Sequence, residues 1–98
     1  MPSYRVTITI GALRPGVSPQ QVLPAATDAA AELTTAEASN VAVVRGEARL
    51  TVRFAADDDE LAAQIAQHVV ETTATLAEPA AWQITRRSQN RWLTLKRA

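Results

Sequence analysis

Each stretch of this chain that alternates apolar with polar residues has one apolar face and one polar face. That one-sidedness restricts the layers it can form. Tyr4, Val6, Ile8 and Ile10 alternate with Arg5, Thr7 and Thr9, the pattern of a strand with one face on a core and the other in water. Val41 to Val44 and Ala48 to Phe54 flank Arg45-Gly46 and read as a β-hairpin. Pairing Val44 with Glu47 puts Val41, Val43, Ala48, Leu50, Val52 and Phe54 on one face and Arg49, Thr51 and Arg53 on the other. A last hairpin is expected from Ala80 to Lys96. With Arg87 to Asn90 as a four-residue loop, Ile84 pairs with Leu93 and Trp82 with Leu95, which leaves Gln83, Thr85, Arg87, Trp92, Thr94 and Lys96 on the polar face.

Two stretches carry helical rather than strand periodicity. Ser18 offers an N-cap, with Pro19 at the first helical position and Gln21 at capping-box spacing, while Pro24 is expected to kink or restart the helix. Ala25, Ala26, Ala29, Ala30 and Leu33 then form a thin apolar stripe suited to close packing on a sheet. Asp57 through Glu60 opens the second helix, with Asp57 and Glu60 at capping-box spacing and acids near the positive end of the helix dipole. Leu61, Ile65, Val69 and Leu76 form its expected buried stripe, and Pro79 its end.

The element order is therefore strand, helix, strand, strand, helix, strand, plus one strand closing a terminal hairpin. Strands with a single apolar face require both helices on the same side of one antiparallel sheet. Crossover handedness applied to this order favours the ferredoxin-like α+β arrangement, strand order 2-3-1-4 with the fifth strand beside the fourth. This is a similarity of architecture, and many unrelated functions use it. Ninety-eight residues, 47% of them apolar, suffice for one domain over residues 1–98 that buries about 60–65% of its unfolded surface. The first residues already alternate as a strand, and no apolar run approaches the ~18 residues needed to cross a bilayer. The expected location is the cytoplasm, with no membrane partner.

Charge is distributed unevenly. Residues 85–97 hold five of the ten basic side chains and no acid, and residues 1–78 hold the other five with all ten acids. The net charge of zero thus conceals a −5 segment followed by a +5 one. On the expected fold the acids gather in the helix layer, and Arg5, Arg49, Arg53, Arg87 and Lys96 line the uncovered sheet face with Trp92. With Arg91, these are the candidate contact residues for a partner or an anion. A second copy of the chain, covering Trp92 through the sheet face or the terminal strand, is the leading partner. Nucleic acid or another anion is the alternative, because clustered arginines neutralise phosphates and an exposed aromatic stacks a base. Paired stacking aromatics on the first and third strands are missing, however.

Signals for catalysis and cofactors are weak. The chain has no Cys and one His, which excludes disulfides, thiolate chemistry and the usual zinc arrangements. Gly11 and Gly16 have Walker-like spacing, but Val17 stands where a phosphate-binding Lys belongs and Pro15 lacks an amide donor. Asp57 to Glu60 lacks the alternate spacing of a calcium loop and reads as helix capping. His68 borders the helical stripe with no local Ser or Asp partner. The expectation is a non-enzymatic binding or assembly module without cofactor or metal. A dimeric α+β barrel enzyme is a third reading, resting on fold-level analogy alone.

Overall fold

A computed structural model describes residues 1–97. Its five strands are β1 (Ser3–Leu13), β2 (Ala36–Val44), β3 (Glu47–Ala55), β4 (Ala77–Ser88) and β5 (Arg91–Arg97), and its helices are α1 (Val22–Leu33) and α2 (Asp59–Ala74). The strands form one antiparallel sheet in the order β2-β3-β1-β4-β5. Alternation along the central strands decides which side the helices cover. Tyr4, Val6 and Ile8 of β1, Leu50, Val52 and Phe54 of β3, and Ile84 of β4 pack with Val22, Ala26, Ala29, Ala30, Ala62, Ile65, Ala66 and Val69 of the helices. Tyr4 and Phe54 stack at the centre, with ring centroids 5.9 Å apart. The small side chains of α1 let its backbone approach the sheet closely. Among the described residues, no helix is long and apolar enough to cross a membrane.

Local chemistry explains most of the element ends. Ser18 N–H donates to Gln21 Oε1 at 2.7 Å, and Pro19–Gln21 form a 3₁₀ turn that runs into α1. Pro24 lies in the first turn of α1, where a missing N–H is tolerated. Asp58, rather than Asp57, caps α2, its Oδ1 accepting from Leu61 N–H at 2.8 Å. The buried stripe of α2 is accordingly Ala62, Ile65, Ala66, Val69, Val70 and Thr73, and Leu61 and Leu33 are exposed instead of buried. Pro79 does not end α2. The helix stops at Ala74, where Arg14 Nε donates to the Ala74 carbonyl at 3.0 Å. Pro79 lies inside β4, opposite Ile10 and between two register shifts, as suits a residue with no ladder donor.

Both hairpins bear on the polar face. Val44 pairs with Glu47 as the alternation requires, and Arg45 and Gly46 both take positive φ, 54° and 81°, the geometry of a type I′ turn. β2 begins earlier than expected, at Ala36: its first residues, Ala36 to Asn40, are small or polar and give little strand signal, and a bulge at Glu37 shifts their register on β3. The terminal hairpin differs more. Its loop is Gln89-Asn90 rather than Arg87 to Asn90, so Arg86 pairs with Leu93, Arg87 with Trp92, and Ser88 with Arg91. A register shift between Ile84 and Thr85 then leaves Leu95 without an opposite residue, and Ile84 meets Lys96. One inserted residue reverses the parity beyond it. Lys96 therefore turns to the helix side and Arg97 to the open side. The helices leave β5 uncovered, so Leu93 and Leu95 stay 40% and 36% exposed instead of joining Trp82 and Ile84 in a buried face.

Candidate functional site: the open face of the sheet

The face without helices is built by cross-strand pairing. Arg5 lies opposite Arg53, Thr7 opposite Thr51 and Thr9 opposite Arg49. On the other side of β1, Arg5 faces Thr85, which in turn faces Thr94, next to the Arg87–Trp92 pair. Four candidate arginines and the tryptophan therefore share one surface, and Arg5, Arg53 and Arg87 converge on the indole. Their guanidinium carbons lie 3.9, 5.3 and 5.9 Å from the Trp92 ring, within the range of cation–π attraction. Arg5 covers the ring most closely, so Trp92 is half-buried and not the exposed aromatic that the sequence leads one to expect.

Grouping three cations has an electrostatic cost. Burial lowers the pKa of Arg5 from its ordinary value, and the charges of Arg53 and Arg87 lower it further. One carboxylate reaches the cluster: Glu37 Oε1 accepts from Arg53 Nε at 3.0 Å and from Ser3 Oγ at 2.9 Å. Its position comes from the β2 bulge, which local sequence does not signal and which conceals it from sequence reading. Arg5, Arg49, Arg87 and Arg97 form no ion pair among the described residues.

The face has two shallow depressions. One, about 420 Å³, lies between Arg5, Arg53, Thr51, Ser39 and Asn40. The other, about 220 Å³, lies between Thr7, Thr9, Arg49, Gln83 and Arg97. In the second, Arg49 Nε is buried with no hydrogen-bond partner among the described residues. Arg97 belongs to this face although only the bulge at Leu95 reveals it.

The remaining candidates lie elsewhere. Arg91 alternates with Trp92 and so points away from the open face. Lys96 lies with its ammonium 5.7 Å from the Trp82 ring on the helix side, near Gln64, His68 and Glu71. His68 Nε2 meets Glu32 Oε2 at 2.9 Å across the two helices, on the side of the sheet away from the arginine cluster, beside an open groove shared with Gln64, Glu71 and Lys96. A further polar group escapes sequence reading because its members are distant in the chain. Tyr4 OH donates to Asp59 Oδ1 at 2.8 Å and Arg86 Nη1 to Asp59 Oδ2 at 2.7 Å, which ties the start of α2 to β1 and β4. Burial and then the Asp59 carboxylate push the Tyr4 phenol up to about 12. The hydrogen bonds from Tyr4 and then Arg86 hold Asp59 below the usual carboxylate value. No protein-family model, curated protein or solved structure matches the chain.

Proposed function

We propose that this chain is a non-enzymatic binding module of ferredoxin-like architecture whose open sheet face takes an anionic partner. The strand order and the two helices support the architecture. The convergence of Arg5, Arg53 and Arg87 on Trp92, with only Glu37 to oppose it, carries the functional reading. Guanidinium groups held at such spacing repel one another, and an anion lying between them removes that repulsion. Symmetric association of two open faces is correspondingly disfavoured, since it would set each arginine cluster against its own copy.

Nitrogen-resolved NMR of the arginine Nε–H groups, titrated with pyrophosphate, tests this reading. Joint movement of Arg5, Arg53 and Arg87, with Arg14 and Arg86 unmoved, is the expected result. A titration in which the three stay still overturns it.

Self-association is a second reading, narrowed from its two expected surfaces to the terminal strand. β5 is an edge strand, and its Leu93 and Leu95 are left uncovered. Pairing of two β5 edges extends the sheet without opposing the arginine clusters. Sedimentation that stays monomeric at high concentration, in both low and high salt, excludes it.

A further inference from the structure

The two depressions each join two arginines to threonine hydroxyls and lie at opposite ends of the β1–β3 ladder. Arg49 and Arg53 stand four residues apart in β3, which is about 13 Å along a strand. Each opens onto β1, beside Thr9 and Arg5 respectively. Between them the face carries Thr7 and Thr51, whose hydroxyl oxygens lie 3.4 Å apart, and no described ion pair. The cationic track thus has a guanidinium group at each end and neutral hydroxyls between. A single small anion fills one end only, whereas a chain of anions engages both.

Trp92 narrows the class of chain. Its indole already receives a flat group, the Arg5 guanidinium, at 3.9 Å. Arg5 is a flexible side chain, so a nucleobase can take its place over the ring and leave the guanidinium free for an adjacent phosphate. Bases inside a duplex are stacked on their neighbours and cannot reach the indole, whereas a single strand offers a planar base beside every phosphate.

Extending the anion-binding reading on which it rests, we infer that the partner is single-stranded nucleic acid lying along β1, with phosphates at Arg5/Arg53/Arg87 and at Arg49/Arg97 and one base on Trp92. Arg49 is partly exposed although its Nε is buried without a partner, so a phosphate there is met by the outer guanidinium nitrogens.

The test uses a labelled dT oligomer of about ten nucleotides, within the site sizes usual for such grooves. Anisotropy is read over a series of salt concentrations, with linear polyphosphate and a duplex of equal length as competitors. Four to five phosphate contacts predict a slope of about −3 in log K against log salt. Arg49→Gln makes the slope shallower by about 0.7. Trp92→Ala weakens binding at fixed salt at least about five-fold and leaves the slope unchanged. Circular dichroism confirms that each variant is folded, and the Arg49→Gln slope stands alone if Trp92→Ala is not. If polyphosphate or duplex competes as well as the unlabelled oligomer and Trp92→Ala binds like the parent, the inference falls while anion binding survives. Failure of oligomer and polyphosphate alike to bind at low salt removes both.

Discussion

Tyr4 is the chain's only tyrosine, so its ionisation is a direct probe of how α2 is held on the sheet. Its ring is buried against Phe54 and its hydroxyl donates to Asp59. Ionisation in the folded protein would bury a phenolate beside a carboxylate. Burial, the larger cause, and Asp59 together raise the pKa to about 12, against some opposition from Arg86. An unfolded tyrosine titrates near ~10, so at about pH 11 roughly nine-tenths of unfolded and one-tenth of folded chains carry phenolate. The folded state favours the protonated form. Its contribution to stability is therefore fully present below about pH 10 and disappears as pH rises through about 12. Phenolate absorbance, followed with far-ultraviolet circular dichroism on the same samples, reads both quantities. Asp59→Asn should move the native midpoint only part of the way back, because burial persists. A native midpoint near ~10 in protein that circular dichroism shows to be folded would refute the reasoning, since the hydroxyl could then be neither buried nor bound to Asp59.

Three further outcomes are expected. Asp58→Ala removes the cap on Leu61 N–H and costs about 1 kcal/mol, lowering the thermal midpoint by about 4–8 °C for a domain of this size. Phe54→Ala empties the centre of the core at about 3–5 kcal/mol, a loss that calorimetry should record as a large fall in midpoint or as absence of a transition. Glu37→Gln removes the carboxylate that competes for Arg53. It should tighten pyrophosphate binding up to about five-fold by isothermal titration, in keeping with an exposed pair worth at most ~1 kcal/mol.

The legibility of this fold in its sequence varies from strand to strand. β1 and β3 alternate without interruption, so the common face of Arg5, Arg49 and Arg53 follows from side-chain parity alone. The β2–β3 turn is equally readable, because Arg45-Gly46 sits between two alternating runs. At the terminal hairpin the parity of Trp92 is right although the expected loop is two residues too long, since a shift of two preserves the face. Lys96 and Arg97 lie beyond the bulge at Leu95, and nothing in the local sequence distinguishes a bulged strand from a regular one. Glu37 is obscured for the same reason at the other edge of the sheet. Pro79 misleads as a helix stop, because α2 already ends at Ala74, where the Thr75 and Leu76 N–H groups close the last turn and Arg14, distant in the chain, donates to the Ala74 carbonyl. The Tyr4–Asp59–Arg86 group likewise becomes visible only when three separate elements meet.

The charge arrangement follows from the layers rather than from an overall excess of either sign. Acids favour the first turns of helices, where Asp58 satisfies a backbone donor and Asp59 and Glu60 face the positive end of the dipole. Long arginine side chains instead lie along strands, their stems covering apolar or aromatic surface and their heads at the solvent edge. A chain with strands packed on one side displays most of those heads on the other, here Arg5, Arg49, Arg53, Arg87 and Arg97, while Arg86, Arg91 and Lys96 lie on the helix side. What such packing does not require is that Arg5, Arg53 and Arg87 meet over a single indole, because threonine or serine at any of them would solvate the same β surface without mutual repulsion. The cation–π contacts with Trp92 offset part of that repulsion, and Glu37 offsets another part at Arg53 alone. The Arg49–Arg97 end has neither a described carboxylate nor a described ring contact in compensation, and it is there that an incoming anion has the most to neutralise.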